Sequence, residues 1–338
     1  MNGGFIVRLQ PRGPWRFGPQ SGSRDRVDRI FHSDSLYSAI TLAMLQLGEM
    51  AEWLAATADA VTPAVQFSSC FPYHGNTLYI VPPCSVWPPV QSAKVRWKGA
   101  RFIPLTLVSS LLGDKRLDED RWVVDPVSEC LLAIEKQGIP SGPFRMGVRN
   151  SAAVDRVENG NIALHSTACL EFSEGAGLWC LAAFADADSE ARWAEPVRAA
   201  FRLLADSGMG GERSRGWGRS ETPQFTDGTL PELIYTVKPE VETAWWLLSL
   251  FSPAADDSVD WQRGDYSTIS RGGRVESPQA SGDEKRLLHM VQEGSVLFSE
   301  TKLKGVARNV APENFPHPVY RAGFALAIPI PIPTRVQS

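Results

Sequence analysis

The sequence predicts an α+β protein of two domains, the first of which is ferredoxin-like. The 338 residues suffice for about two domains, and the apolar fraction of 43% is enough to build buried cores. In the first half, the strand and helix patterns follow the order βαββαβ once one long interruption is removed. We place the domains at residues 1–226 and 227–338, with an insertion at about 83–176 in the first domain.

The first domain begins with an apolar strand, Phe5–Leu9, and a long loop rich in arginine, glycine and proline, Gln10–His32. Ser33 has the residue type expected of a helix N-cap. Apolar residues then recur at helical spacing. This spacing predicts a first helix from Asp34 to about Ala56.

Two further strands, about Ala64–Pro72 and Thr77–Val81, form a predicted hairpin around a His-Gly-Asn turn. After the interruption, Gly177–Ala185 reads as a strand, and a second amphipathic helix ends at Gly208. Gly218–Phe225 supplies the last strand. A sheet of this order leaves one face open, and in RNA-recognition modules that face binds single-stranded RNA.

The insertion carries two basic segments, Lys94–Arg101 and Arg145–Asn150. It shows little regular helical pattern after Leu112. We therefore predict that the insertion is an exposed appendage of the first domain.

The second domain begins near Pro231 and is predicted to be another small α+β unit. Two apolar runs come first, Leu233–Val237 and Thr243–Phe251, and periodicity leaves open whether the second is strand or helix. The remaining predicted elements are a loop at Ser252–Asp265, a glycine–arginine turn at Arg271–Arg274, a short helix at Glu284–Gln292 and a last, proline-ended strand at Gly323–Ile330.

Charge and cysteine patterns limit the classes of function. The net charge is −4, but arginines concentrate in three regions, Arg8–Arg29, Arg145–Arg156 and Arg213–Arg219, which predicts one basic face. The five cysteines show no metal-ligand spacing, so we expect reduced thiols, no metal and no cofactor. No apolar run approaches the roughly 18 residues of a membrane span, and a charge comes early in the N-terminal segment. We expect no membrane partner and a cytoplasmic protein.

The most informative segment is the glycine-rich loop Asp206–Arg219, which follows the second helix. Its glycines would let consecutive N–H groups face one anion, its arginines add charged donors, and Trp217 offers a ring for a base. The pattern fits neither a P-loop nor a dinucleotide-binding loop, because it ends a helix and lacks Gly-Lys-Ser/Thr. It favours single-stranded nucleic acid, and the alternative is a helix cap followed by a mobile turn.

Several segments, taken together and in this order, closely resemble the RAMP superfamily of CRISPR systems. Within it, they resemble the fourth-Csm-subunit family of type III-A effector complexes, and the related III-B and III-D handle-binding subunits share the glycine-rich loop. The segments are Phe31–Ile40, Arg101–Leu105, Arg149–Arg156, Gly208–Gly218, Arg271–Gly273, Glu293–Ser295 and His317–Arg321.

The resemblance implies two ferredoxin-like, RRM-like domains and a thumb-like insertion. It implies a noncatalytic subunit that caps and anchors the 5′ handle of crRNA in antiviral defence. The implied protein partners are the large polymerase-like subunit and the adjacent backbone RAMP subunit. The chain departs from the family pattern at Val157–Gly160, where a carboxylate replaces a hydroxyl in the thumb.

The residues and the resemblance together predict a set of RNA contacts, with no catalytic and no metal residues. The predicted contacts are Arg16, His32, Ser33, Arg149, Asn150, Arg156, Gly208, Gly210, Gly211, Arg213, Ser214, Arg215, Gly216, Trp217, Gly218, Arg271, Gly272, Gly273 and Arg321.

Two other functions stay open at the level of sequence. Related RAMP proteins cleave precursor crRNA without metal, and His32 lies before the first helix, where a general acid or base can lie. Local hydrogen bonding is the alternative role for His32. A purely structural protein–protein module is the third possibility.

Overall fold

The computed structural model describes residues 3–18, 23–88, 96–113, 117–134, 141–154, 162–228, 243–277 and 282–331. The fold is α+β, with mostly antiparallel sheets and few helices, as the sequence predicts. The N-terminal strands are Gly4–Leu9 (β1), Val65–Phe67 (β2), Phe71–His74 (β3), Thr77–Ile80 (β4), Ile103–Pro104 (β5), Trp122–Val124 (β6), Leu131–Ala133 (β7), Phe144–Val154 (β8), Ile162–Phe172 (β9), Ala176–Phe184 (β10) and Gln224–Asp227 (β11).

Seven of these strands form the central sheet, in the order β11-β1-β10-β3-β4-β5, with β2 also paired to β10. Every pairing is antiparallel, and Ile6 of β1 lies opposite Leu181 of β10. The long predicted strand at 64–72 is two strands, because Ser68 interrupts the ladder. Its N–H donates to the Leu181 carbonyl, while its hydroxyl accepts from the Leu181 N–H.

Four helices are described, Ser33–Leu47 (α1), Met50–Ala56 (α2), Leu105–Leu112 (α3) and Ala187–Ser207 (α4). The single helix predicted over 34–56 is wrong, because Gly48 ends α1 in the left-handed conformation at φ 80°. The predicted N-cap is also wrong by one residue. His32 holds the cap position, and the Ser33 hydroxyl accepts a hydrogen bond from the Leu250 N–H.

Both faces of the central sheet are covered, so the prediction of an open, RNA-binding sheet face is wrong. Phe5 and Val7 pack with α1 and α4 in one core. Ile6 and Trp179 point the other way, into a second core that includes Trp246 of the C-terminal part. The sequence of β10 indicates that both faces are buried, since a continuous apolar run is typical of a strand buried on both faces.

The insertion is an exposed appendage only in part. Its first half packs into the second core through Trp97, Phe102 and Leu131, each with no exposed surface. The hairpin of β8 and β9 carries the exposed apolar residues Val148 and Leu164 and is called here the thumb hairpin. The prediction failed because α3 and the short strands β5 and β7 bury apolar side chains without a long periodic pattern.

The described C-terminal part consists of strands, which are Thr243–Leu247 (β12), Asp260–Asp265 (β13), Thr268–Arg271 (β14), Leu288–Val291 (β15), Val296–Ser299 (β16), Gly305–Asn309 (β17), Tyr320–Phe324 (β18) and Ala327–Ile330 (β19). One sheet has the order β13-β16-β12-β19, and two hairpins, β14-β15 and β17-β18, lie beside it.

For the run at 243–251, which the sequence left open between strand and helix, the structure has a strand at Thr243–Leu247. Three sequence predictions for this part need revision. The predicted 252–265 loop contains β13. The predicted helix at 284–292 is the strand β15, because pairing with β14 overrides a short helical pattern. The last strand is divided into β18 and β19. Leu233–Val237 lies outside the described residues.

The five cysteines are free thiols, and all but Cys84 are buried. Among the described helices, none is long and apolar enough to cross a membrane. Within the same residues, no group of three or more His, Cys, Asp or Glu side chains is placed to hold a metal ion.

Candidate nucleic-acid interface

The glycine-rich loop leaves α4 at Gly208 and folds back on the chain between β1 and α1. Gly208, Gly210 and Gly218 have positive φ angles of 91°, 82° and 77°. A Cβ atom on Gly210 would lie 2.4 Å from the Arg16 carbonyl oxygen, and one on Gly218 would lie 2.0 Å from the Met209 carbonyl oxygen. These glycines are therefore required for close backbone packing within the loop.

Most N–H groups of the loop donate inside the protein, which corrects the predicted anion cradle. Gly211 donates to the Arg16 carbonyl at 2.8 Å, Gly218 to the Pro14 carbonyl at 3.0 Å and Met209 to the Gly218 carbonyl at 3.0 Å. Gly208 and Gly216 donate to carbonyls as well. The backbone thus holds the loop in place, and any anion contact falls to the side chains that the loop positions.

A second glycine–arginine turn, Arg271–Arg274, lies across a cleft from this loop. Its first residue is fixed by Asp34 in the first turn of α1. The Asp34 carboxylate accepts from Arg271 Nε and Nη2, both at 3.0 Å, and also from Arg321. Burial alone would raise the pKa of Asp34, but the Arg271 and Arg321 guanidiniums hold it well below its usual range.

The cleft between the two turns has a volume of about 550 Å³ and is called here the basic cleft. Six cationic side chains and two acidic ones line it, so its field favours an anion. The cations are Arg16, Arg213, Arg271, Arg274, Lys285 and Arg321, and the acids are Asp34 and Glu276.

Arg213 and Arg16 occupy the side of the cleft formed by the glycine-rich loop. Arg213 is 35% exposed and pairs with Glu276 across the cleft. Arg16 is mostly buried. Its Nη2 donates to the Ser23 carbonyl at 2.7 Å, while its buried Nε has no hydrogen-bond partner among the described residues.

Lys285 lies at the other side of the cleft, just before β15. Burial lowers the pKa of Lys285 to about 8, and the Arg321 guanidinium adds to this effect. No carboxylate within the described part of the chain lies at ion-pair distance from its ammonium group. Lys285 is thus a cation for which a bound phosphate would be a close partner.

His32 and Ser33 form a buried joint between the N-terminal and C-terminal parts. His32 is 2% exposed, with Nδ1 2.8 Å from Glu293 Oε1 and Nε2 3.1 Å from Asp28 Oδ2. Burial alone would lower the pKa of His32, but Glu293 and Asp28 raise it to about 9. At neutral pH, His32 is therefore a buried imidazolium between two carboxylates.

No described residue of the thumb hairpin lines the basic cleft. Arg145 and Arg149 both bind Glu171 on the paired strand. Asn150 accepts a hydrogen bond from Ser166 at 2.8 Å. Arg156 lies outside the described residues.

The structure brings together eight of the predicted contact residues around the basic cleft, which are Arg16, Gly210, Gly211, Arg213, Arg271, Gly272, Gly273 and Arg321. The other described ones do not line it. They are His32, Ser33, Arg149, Asn150, Gly208, Ser214, Arg215, Gly216, Trp217 and Gly218. Trp217 is only 9% exposed, so most of its ring is covered.

Sequence reasoning missed Arg274, Lys285, Glu276 and Tyr320 as lining residues. Arg274 could have been predicted from the sequence, because the Arg-Gly-Gly-Arg turn has an arginine at each end. No local motif marks Lys285. It reaches the cleft because its N–H donates to the Gly273 carbonyl at 2.8 Å, a contact between the β14 and β15 segments.

Comparisons with known proteins show similarity to CRISPR Csm4 proteins. Residues 240–330 match the family model of the CRISPR Csm4 C-terminal domain. A protein named "CRISPR system Cms protein Csm4" from Methanocaldococcus jannaschii is 23% identical over 352 aligned positions, covering 91% of this chain and 89% of the relative. The chain is thus similar to Csm4 over most of its length, and its residues 240–330 are similar to the Csm4 C-terminal domain. The family resemblance predicted from the sequence motifs is confirmed.

Solved structures show the shared fold. A chain of a Csm3-Csm4 subcomplex from a type III-A CRISPR-Cas interference complex has a TM-score of 0.64 at 18% identity, covering 96% of this chain and 99% of that one. A chain of a Csm1-Csm4 cassette in complex with cA4 has a TM-score of 0.58 at 17% identity, covering 98% and 99%. The α+β architecture is thus common to all three.

Proposed function

We propose that this chain is a noncatalytic RNA-binding subunit of a type III-A Csm effector complex, which caps and anchors the 5′ handle of crRNA. The basic cleft carries the proposal. Six cations against two acids line one cavity between two glycine–arginine turns. A polyanion in this cavity would gain several phosphate contacts, and such contacts dominate affinity for nucleic acid.

The domain division belongs to the same proposal. We infer two ferredoxin-like units, 1–226 and 227–338, with the thumb hairpin extending from the first. The strand order of the central sheet and the two helices α1 and α4 support this for the first unit. For the second unit the support is its antiparallel sheet and the match of residues 240–330 to the Csm4 C-terminal domain.

The proposed protein partners are the large polymerase-like subunit and the adjacent backbone RAMP subunit. The support is that similar chains occur in a Csm1-Csm4 cassette and in a Csm3-Csm4 subcomplex. The exposed apolar residues of the thumb hairpin, among them Val148 and Leu164, also favour an assembled state.

The endoribonuclease alternative receives less support from the geometry. A general acid or base must lie within hydrogen-bond reach of the proton that it transfers. Both ring nitrogens of His32 already engage carboxylates, and the ring is shielded from the cleft. The role that the structure supports for His32 is hydrogen bonding that joins the N-terminal and C-terminal parts of the chain.

The salt dependence of RNA binding tests the proposal. The full chain is purified, and RNA that co-purifies with it is sequenced and used as the labelled probe. Arg213→Ala should lower the affinity and reduce the slope of log K against log salt by about 0.7 for one lost phosphate contact. Arg202→Ala is the matched control, because Arg202 is half-exposed on α4 and does not line the cleft. Equal affinity and slope for Arg213→Ala and the wild type would contradict the proposal.

A further inference from the structure

A second cavity, of about 380 Å³ and mainly apolar, adjoins the basic cleft and is called here the apolar recess. Leu42, Leu45 and Leu54 of α1 and α2 form one wall, and the segment Pro318–Tyr320 forms the other. The two cavities are neighbours, because they share lining residues. The shared residues are Ser38, Leu42, Glu276, Lys285 and Tyr320.

The two cavities differ in chemistry in the way that the parts of a nucleotide differ. The basic cleft presents cations, which suit phosphate. The apolar recess presents aliphatic side chains, the ring of Tyr320 and a few polar groups, which suit a flat base with a hydrogen-bonding edge. Lys285 lines both cavities, so it could reach a phosphate next to an inserted base.

The polar groups of the recess are held in fixed orientations. The Tyr320 hydroxyl donates to Asp59 at 2.7 Å, and this bond raises the pKa of Tyr320 to about 12, so the hydroxyl stays protonated. His317 Nδ1 donates to the Pro318 carbonyl at 2.8 Å, which leaves Nε2 to accept from Ser277 at 2.7 Å. A preorganised ring and preorganised polar groups lower the cost of ordering on binding.

We propose that the apolar recess binds one nucleobase of the single-stranded RNA whose phosphates occupy the basic cleft. The base stacks on the Tyr320 ring, and the adjacent phosphate lies beside Lys285. This inference rests on the proposed function, since the cleft must hold RNA for a base to enter the recess. It adds a base site that the glycine–arginine turns do not provide.

Filling the recess without removing a charge tests the proposal. Leu45 is 37% exposed and lines the recess, so Leu45→Trp should place an indole there without disturbing the core. Leu47→Trp is the matched control, because Leu47 is 40% exposed on the same helix and lines neither cavity. The probe is a single-stranded RNA of about ten nucleotides with the 5′ sequence of the RNA that co-purifies with the full chain.

We expect Leu45→Trp to weaken binding of this RNA about tenfold, the effect of losing one stacked base, with the wild-type salt slope. The slope is unchanged because no phosphate contact is lost. Leu47→Trp should bind as the wild type does. With 2-aminopurine at each position in turn, one position should change fluorescence on binding to the wild type and not on binding to Leu45→Trp.

An abasic nucleotide at the responding position completes the test. It should weaken binding about tenfold for the wild type and have no effect for Leu45→Trp, because both changes remove the same contact. If RNA binds with the expected salt slope, but no position responds and Leu45→Trp binds normally, the recess proposal is overturned and the proposed function stands. If no RNA binds the full chain, both fall.

Discussion

His32 and its two carboxylates are a buried charged group at the joint of the molecule. The pKa of His32 is raised to about 9, above the ordinary value of about 6.5. Its protonation therefore adds stability that is fully present below about pH 6.5 and is lost as the pH rises through 9. The shift corresponds to about 3 kcal/mol.

We predict that the His32→Gln variant loses a pH dependence that the wild type has. Its free energy of unfolding should be lower by about 3 kcal/mol at pH 6.5, because Glu293 stays buried without a cation. The difference from the wild type should shrink between pH 7 and pH 9, measured by urea denaturation at each pH. His74→Gln, at the end of β3, is the control. Parallel pH profiles for the wild type and His32→Gln would refute the charged joint.

Lys285 should give the proposed RNA binding a pH dependence of its own. The charged groups that influence it are Arg321, Asp34, Glu276 and Arg271, and burial is the largest effect on its pKa of about 8. Only the protonated ammonium pairs with phosphate, so we predict that affinity falls as the pH rises above about 8. Lys285→Arg should bind RNA equally well from pH 7 to pH 9, because a guanidinium stays charged. Fluorescence anisotropy of the labelled RNA measures both, and a flat wild-type profile would exclude this role.

Among the elements, the glycine-rich loop is fixed by backbone packing. Gly218 and Gly216 both have positive φ angles, but only at Gly218 would a Cβ collide with backbone, while Gly216 faces open space. We predict that Gly218→Ala destabilises the protein by clearly more than the 1–2 kcal/mol of left-handed strain expected for Gly216→Ala. Thermal unfolding of the two variants compares them directly. Gly218→Ala should also weaken RNA binding, although it removes no charge, and equal behaviour of the two variants would count against this packing role.

The sequence predicted those elements whose local pattern decides their structure. The strand Phe5–Leu9 and the helix ending at Gly208 follow from apolar periodicity and a glycine stop, and the structure has both. The strand β15 could not be predicted in this way. Its four residues carry no helical or alternating pattern long enough to outweigh pairing with β14.

In the basic cleft too, local features could be predicted from the sequence and contacts between distant residues could not. The glycine–arginine turns could be found from composition, because they are local in sequence. The ion pairs of Asp34 with Arg271 and Arg321 join residues 237 and 287 positions apart. A single sequence contains no information about such a pairing, because the three residues belong to distant segments of the chain.

On the scale of the whole molecule, the two predicted domains share one core. Ile6 and Trp179 of the central sheet pack in the same cluster as Ala244 and Trp246 of β12. The joint at His32 and the Ser33–Leu250 hydrogen bond cross the same boundary. The units are thus joined by buried apolar contacts as well as by ions.

We predict that the full chain unfolds in one cooperative transition, and that residues 1–226 alone do not form a stable fold. Separation would expose the apolar side chains around Trp179, which is fully buried in the chain. Calorimetry of the full chain, together with circular dichroism of the fragment, tests this. Two resolved transitions, or a fragment with a sharp melting transition, would show that the units are independent.

The ion pairs of Asp34 with Arg271 and Arg321 can form only late in the synthesis of the chain. Asp34 is synthesised early, whereas Arg271 and Arg321, the two cations that it holds at the cleft, leave the ribosome much later. A nascent chain therefore carries Arg16 in its first loop before the cavity that Arg16 lines is assembled. If the basic cleft binds RNA as proposed, stable capture of RNA should begin only after translation has passed Arg321.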